Sequence, residues 1–150
     1  MSGVVSYELF SSRLGTSQTG VTSEGGIFET FINNTGTSVK GTIVVASITV
    51  ADGVDIAPID SVMPIGVIYE SGIDNGFPVK VVTYGKAEVL LKDGQSSTIG
   101  YWCGVSDTAG RMYQALTAPS TIEHSREIGH SLETTASGTN VLSLVQLHFN

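Results

Sequence analysis

One cysteine and three histidines are the residues of this chain best suited to nucleophilic chemistry. Cys103 lies in an apolar run beside Trp102 and Gly104. Paired with His124 or His130, its thiol could form a nucleophile with an adjacent base. A free cysteine in an apolar strand more often packs as a small hydrophobic side chain. The sequence therefore predicts no catalytic cysteine.

Metal binding is the second possible chemistry. His124, Glu127 and His130 carry the imidazole and carboxylate groups that zinc prefers. They do not follow the HExxH spacing that places two histidines on one helix face, and no cysteine pair accompanies them. The sequence therefore favours a solvated loop at these residues and predicts neither a metal nor a cofactor.

Two weaker patterns also bear on ligand binding. Asp52, Asp55 and Asp60 offer oxygen ligands, but their spacing does not match a calcium-binding EF-hand loop, and a solvated turn is the simpler interpretation. Gly85-Lys86 resembles the end of a phosphate-binding loop, yet no glycine stands five residues earlier and no serine or threonine follows. The sequence predicts no catalytic residues, no bound nucleotide and a protein that is not an enzyme.

Composition narrows the classes of partner. The 150 residues have a formal net charge of −7, and 14% of them are charged, against about 25% in typical globular domains. Lysine and arginine form no patch, so we expect no nucleic-acid partner. No window approaches the roughly 18 apolar residues needed to cross a bilayer, so we expect no membrane partner. The single cysteine and the start of the chain suggest synthesis in a cytoplasm.

From residue 42 onward, the sequence that carries these side chains has the β-branched and alternating patterns typical of strands. We predict strands at 42–50, 65–70, 79–91, 99–105, 111–116 and 141–149, with a bulge or bend at Gly85 that divides 79–91 into two short strands. Residues 119–133 are predicted to be mostly loop with at most one helical turn, because Ser120 and Glu123 have capping-box spacing. The pattern predicts an all-β fold, namely a small β-barrel, β-tulip or sandwich domain.

The first forty residues differ from the rest. They are rich in Ser, Thr, Gly and Asn, and their short apolar groups cannot alone offset the entropy of ordering the backbone. We assign 1–40 to an extended N-terminal arm with its first strand, and 41–150 to the β domain. This segment is either a frayed terminus with one edge strand or an arm that adds strands to a neighbouring subunit. The arm's candidate contact residues are Val4, Val5, Tyr7, Leu9 and Phe10.

Four segments occur in an order that resembles a known family. They are MPIGV at 63–67, VKVV and GKAEV within 79–89, GVSD at 104–107 followed by Gly110, and IGHSLETTASG at 128–138. Over about residues 41 to 150, the chain is similar to the decoration, or cement, proteins of tailed-bacteriophage capsids. The segment 11–26 and the pair Trp102-Cys103 depart from the family's pattern.

The resemblance implies a structural role in the virion. It implies a homotrimer on the outer capsid surface that stabilises the expanded shell, with the arm adding to the sheet of the major capsid protein. The alternative is the base of a head fibre or a carbohydrate-binding module, since exposed aromatic side chains commonly line sugar sites. The candidate aromatic residues for that alternative are Tyr69, Tyr84, Tyr101, Trp102 and Tyr113.

Overall fold

The fold is all-β, as the sequence predicts. A computed structural model describes residues 18–116 and 120–149, which form ten strands and one short helix. The strands are β1 (Thr19–Val21), β2 (Gly26–Asn33), β3 (Ile43–Ala46), β4 (Gly53–Ile56), β5 (Gly66–Ile68), β6 (Pro78–Leu90), β7 (Trp102–Val105), β8 (Met112–Ala115), β9 (Glu127–Ser131) and β10 (Leu142–Leu147). The helix α1 (Thr121–Arg126) lies between β8 and β9.

Five strands close on themselves into a small barrel, which we call the first ring. They pair in the order β2-β4-β3-β5-β6, and β6 returns to β2. All pairs are antiparallel except β2 with β4. Each strand places apolar side chains in the interior, because alternate residues of a strand face the same side. This interior cluster contains Phe31, Val44, Val54, Ile68, Val79 and Val81.

The carboxyl-terminal half of β6 belongs to a second set of strands, which we call the second ring. There β6 pairs with β10, and the order continues β10-β9-β7-β8. A single parallel bridge between Leu91 and Met112 brings β8 back to the end of β6. The amide of Lys92 donates to the carbonyl oxygen of Met112 at 2.8 Å beside that bridge. Strand β6 is therefore shared by both rings.

The passage of β6 between the rings occurs at Gly85. This residue has a φ of +83°, and a Cβ there would lie 2.7 Å from the carbonyl oxygen of Gly25. The pairing of β2 with β6 also shifts register between Ile27 and Phe28. The irregularity predicted near Gly85 is present, but β6 is one continuous strand instead of two short ones.

Three strands of the first ring, β3, β5 and β6, are buried on both faces over part of their length. In β3, β5 and β6, neighbouring residues are both buried, as Ile43 and Val44 illustrate. Such double burial explains why β3 and β5 are unbroken apolar runs, whereas β6 still alternates in part. The second core cluster contains Ile43, Ala57, Val67, Val82, Ala87, Val89, Leu91, Cys103, Val105, Met112, Ile128, Val145 and Leu147.

Several local predictions need correction. The capping box of Ser120 and Glu123 is present, and α1 spans six residues, but residues 127–131 form β9 instead of the predicted solvated loop. Strand β3 ends at Ala46 because the hydroxyl of Ser47 accepts the amides of Thr49 and Val50. Strands β1 and β2 pair with the domain's sheet, while the division at residue 40 stays a prediction.

Candidate functional site

The carboxylate of Glu127 lies at the centre of a cluster formed with all three histidines of the chain. The Nδ1 atom of His124 is 2.6 Å from Oε2 of Glu127. The Nε2 atoms of His148 and His130 are 3.3 Å and 3.6 Å from Oε1. The Glu127 side chain is 3% exposed, whereas the histidines are 41% to 57% exposed. The carboxylate is thus buried beneath imidazoles that solvent can reach.

The junction between α1 and β9 brings His124 and Glu127 together. The helix ends at Arg126, and the amide of Glu127 caps it by donating to the carbonyl oxygen of His124. This places His124 one helical turn before the carboxylate. On the other side, the amide of His148 donates to the carbonyl oxygen of Ile128 at 2.8 Å, which extends the pairing of β10 with β9.

A bulge in β9 places Glu127 and His130 on the same face. Residues three apart in a regular strand point to opposite faces. The pairing of β9 with β7 shifts register and passes over Ile128, whose side chain is fully buried in the core. Gly129 has a φ of +151°, and a Cβ there would lie 1.9 Å from the carbonyl oxygen of Gln146. The bulge therefore depends on glycine and re-aims the side chains around it.

The buried carboxylate has few compensating interactions. Within residues 18–116 and 120–149, Oε2 of Glu127 accepts no hydrogen bond of ordinary geometry, although His124 lies close to it. The guanidinium of the adjacent Arg126 is 3.6 Å from Asp60. Burying a carboxylate is costly unless a cation or hydrogen-bond donors compensate its charge. The surrounding imidazoles can do so when protonated, or by binding a cation together with the carboxylate.

Cys103 lies in the core below this cluster. Burial, reinforced by the negative charge of Glu127, raises the pKa of its thiol to about 12. The thiol is therefore protonated at neutral pH, and it donates to the carbonyl oxygen of Tyr101 at 3.7 Å. A nucleophilic cysteine requires the thiolate. The environment fits a small buried side chain.

The structure does not gather the acidic loop residues into a ligand group. No set of metal-compatible donor atoms among the described residues includes Asp52, Asp55 or Asp60. Asp55 instead accepts a hydrogen bond from the side-chain amide of Asn34 at 2.6 Å. The group that does meet ligand geometry consists of Glu127, His130 and His148.

An exposed apolar row crosses β1, β2 and β6. Val21 pairs with Ile27, and Ile27 pairs with Tyr84, so the three side chains lie on one face. They are 75%, 40% and 63% exposed. Strand β1 is at the end of the sheet, and its outer edge pairs with no strand in the described part of the chain. The predicted contact residues Val4, Val5, Tyr7, Leu9 and Phe10 precede β1 and lie outside the described residues.

The aromatic residues proposed for sugar binding are not collected on one surface. Trp102 is buried and packs edge-to-face on Tyr113, with ring centroids 5.3 Å apart. Tyr69 packs against the core beneath Lys40, Tyr84 belongs to the apolar row, and Tyr101 is half-buried. Tyr113 also lines a cleft of about 370 Å³. The other residues of this cleft are polar, namely Asp60, Lys92, Gln95, Ser106, Asp107 and Arg126.

Comparison of the chain with protein-family models and with the sequences of curated proteins finds no match. Within residues 18–116 and 120–149 there is no helix with the length and hydropathy needed to cross a lipid bilayer. The fold and the described sites define an all-β domain with a histidine-carboxylate cluster on its second ring and an apolar surface beside a strand edge that no described strand covers. Its function must be argued from these features.

Sequence reasoning identified only part of the histidine-carboxylate cluster. The sequence marks His124, Glu127 and His130 as possible ligands but favours a solvated loop there, and it gives no reason to include His148. A glycine within a strand is a signal for a bulge, and Gly129 could have indicated that Glu127 and His130 share a face. His148 carries no comparable local signal, because β10 follows β9 only after a loop of ten residues.

Proposed function

We propose that this protein is a structural protein of a tailed-bacteriophage head. In this proposal it binds the major capsid protein on the outer surface of the capsid as a homotrimer and stabilises the expanded shell. The observation that carries the proposal is the apolar row of Val21, Ile27 and Tyr84 beside the outer edge of β1, which pairs with no strand among residues 18–116 and 120–149. The resemblance of four segments in order to decoration proteins, noted in the sequence, also supports it.

The apolar row supports binding to another protein. Single exposed apolar side chains are ordinary on protein surfaces, whereas contiguous ones frequently mark interaction sites. An open strand edge is a template for a further strand, whose backbone groups pair with the edge while its side chains contact the neighbouring face. Eight residues of sequence separate the predicted arm residues from β1. A capsid protein that engages the arm would therefore lie within a short length of chain from the row.

A second exposed apolar group supports contact with further copies of the chain. Ile59, Val62 and Met63 lie in the loop between β4 and β5 and are 61%, 45% and 72% exposed. A closed trimer buries such side chains and limits uncontrolled association of strand edges. The formal net charge of −7 opposes direct contact with the packaged nucleic acid.

Stabilisation of a shell requires binding alone. A protein that binds the expanded form and not the unexpanded form shifts the equilibrium toward expansion by its differential affinity. The role needs a defined contact surface at each site and no catalytic group. The Glu127 cluster has no part in this proposal.

Cosedimentation with expanded, undecorated heads of the parent phage tests the proposal. The unaltered chain should saturate the heads at a fixed ratio to the major capsid protein and make them more resistant to heat. Deletion of residues 1–12 and the double variant Ile27→Thr with Tyr84→Ser should each weaken binding while the domain stays folded.

The matched control is Ile99→Thr, because Ile99 is 63% exposed and lies outside the apolar row. Its occupancy on the heads should equal that of the unaltered chain. No binding of the unaltered chain would exclude the decoration role. Undiminished binding of both the deletion and the double variant would exclude the arm and the row as the contact surface.

The polar cleft around Tyr113 favours a second candidate, carbohydrate binding. An aromatic ring beside Asp60, Gln95 and Arg126 provides a stacking surface with hydrogen-bonding groups. Binding on a glycan array that is lost in Tyr113→Ala but kept in Tyr84→Ser would support a sugar site in the cleft. No glycan binding by the unaltered chain would exclude it.

A further inference from the structure

We propose that Glu127, His130 and His148 form a binding site for a divalent transition-metal ion of the zinc class. His124 is a positioning residue that holds the second oxygen of the carboxylate. The proposal is independent of the capsid role, since it concerns the outer face of the second ring and uses none of the residues of the apolar row.

The spacing of the donor atoms matches that of a metal site. Zinc binds imidazole nitrogen and carboxylate oxygen at about 2.0–2.2 Å, so two ligands in a tetrahedral site are about 3.3–3.5 Å apart. Oε1 of Glu127 lies 3.3 Å from Nε2 of His148 and 3.6 Å from Nε2 of His130. All three donor atoms lie within 4.8 Å of one another. An ion can therefore contact all three after small side-chain movements.

The two oxygens of the carboxylate have different roles in this arrangement. Oε1 faces both ligand histidines, whereas Oε2 lies 2.6 Å from Nδ1 of His124. Metal-bound carboxylates are commonly held by a second hydrogen-bonding group, which fixes their orientation. The Nδ1–H of His124 can donate to Oε2 after a small rotation. Three protein ligands on a solvent-facing surface leave a fourth coordination position for water.

The burial of Glu127 is the second observation that points to a cation. Its carboxylate is 3% exposed, and its Oε2 accepts no hydrogen bond of ordinary geometry from any described residue. A bound divalent ion would compensate the buried negative charge directly. The glycine-dependent bulge at Gly129 brings Glu127 and His130 to one face at the cost of a regular strand, as bulges at binding sites commonly do.

The metal would cross-link the last two strands of the chain, β9 and β10. Its ligands come from the beginning of β9, from the middle of β9 and from the residue that follows β10. Binding would therefore link β9 to the final strand and fix the end of α1 through His124. We expect bound metal to raise the thermal midpoint of unfolding, because a ligand that binds only the folded state stabilises it by mass action.

The test uses the full chain without a histidine tag, treated with EDTA and then dialysed. Titration with Co²⁺, followed by visible absorption and calorimetry, should show one ion per chain, and Zn²⁺ should displace it. His130→Ala, His148→Ala and Glu127→Gln should each weaken Co²⁺ binding at least tenfold. His124→Ala should weaken it by a smaller factor.

Glu29→Gln is the matched control, because Glu29 is an exposed carboxylate on β2 in the first ring. It should bind Co²⁺ as tightly as the unaltered chain. Absence of Co²⁺ and Zn²⁺ binding would overturn the proposal and leave ion pairs between Glu127 and protonated histidines as the role of the cluster. Full binding by Glu127→Gln would also overturn it, since the ion would then need only the histidines. If Glu127→Gln does not fold, full binding by His148→Ala decides against the site.

Discussion

The two rings of this domain fill their interiors with different kinds of side chain. The hydrophobic cluster of the first ring contains aliphatic and phenylalanine side chains supplied by all five of its strands, and the buried amide of Asn33 in β2 donates to the carbonyl oxygens of Gly36 and Ile73. The core of the second ring includes a thiol, and a carboxylate lies buried beside it. Deviations from simple packing rules concentrate where a protein uses side chains for more than packing. The second ring is therefore the part of the domain where side chains do more than pack.

The backbone shows the same contrast. The first ring contains one register shift, beside the point where β6 leaves it. The second ring contains α1, the bulge at Ile128 and a glycine with a φ of +151°. These features have a common result, because each contributes to placing His124, Glu127 and His130 at one point. The irregular ring is the one that assembles polar groups.

Core truncations should have the largest effect and test whether the rings unfold together. Ile68→Ala removes side-chain volume from the first ring, and Ile128→Ala does so in the second. Both residues are buried, so each change should lower the free energy of unfolding by about 2–5 kcal/mol. Because β6 is shared, urea unfolding followed by circular dichroism and by Trp102 fluorescence should give one coincident transition. Two separate transitions would show that the rings are independent.

A substitution at the bulge should have the second largest effect on stability, and it tests a feature that belongs to the second ring alone. Gly129→Ala should destabilise the domain by about 2–3 kcal/mol, because the new Cβ meets the carbonyl oxygen of Gln146 in a conformation that alanine rarely adopts. It should also abolish Co²⁺ binding by displacing His130. The control is Gly72→Ala, which has a φ of +88° but nothing within 4 Å. Its cost should be about 1 kcal/mol. Equal costs in thermal unfolding would contradict the role of the bulge.

The thiol of Cys103 gives a prediction about chemical reactivity and pH. A pKa of about 12 instead of 9.0 lowers the thiolate fraction at neutral pH about a thousandfold, so a thiol reagent should react far more slowly with the folded chain than with the unfolded chain. The pKa of the Cys103 thiol is higher in the folded chain than in the unfolded chain. The associated stability is therefore present below pH 9.0 and is lost as pH rises toward about 12.

Cys103→Ala is the matched variant for this pH dependence. It should weaken the decline of unfolding free energy on the alkaline side, as measured by urea unfolding between pH 8 and pH 10. An unchanged alkaline decline, together with rapid reaction of the thiol in the folded chain, would contradict the buried and protonated state of Cys103.

Loss of the helix cap should have the smallest effect. Ser120 accepts the amide of Glu123, and the Glu123 carboxylate accepts the amide of Ser120. Ser120→Ala should lower the unfolding free energy by at most about 1 kcal/mol, since α1 is short and exposed. Thermal unfolding measures this effect, and Ser23→Ala serves as an exposed serine control in the turn between β1 and β2. A loss as large as that of Ile128→Ala would contradict the view that α1 only positions His124.

Local features of the fold were predictable from the sequence because they depend on local residues. The β-branched and partly alternating sequence of β6, the turns rich in glycine and the capping box of Ser120 each have a physical signal within a few positions. Ring closure has no such signal. It depends on pairings between distant segments, such as β2 with β6, and on the parallel pair of β2 with β4.

The same distinction applies to the candidate sites. Glu127 and His130 were visible in the sequence, but their common face depends on a bulge, and one extra residue reverses the face of every side chain beyond it. His148 joins them only through the pairing of β10 with β9. The apolar row likewise depends on the register of three strands. The arm residues stay predictions.

The shared strand β6 has a consequence for folding during synthesis. Its first half can pair with β2 and β5 as soon as residue 84 has left the ribosome, whereas its second half must wait for β10, which ends at Leu147. Until then, the edge of Lys86 to Leu90 and the apolar side chains of the second core are available to other chains. Late, long-range pairing of this kind slows folding and favours aggregation. The yield of soluble protein should therefore depend on synthesis rate and temperature through this one strand.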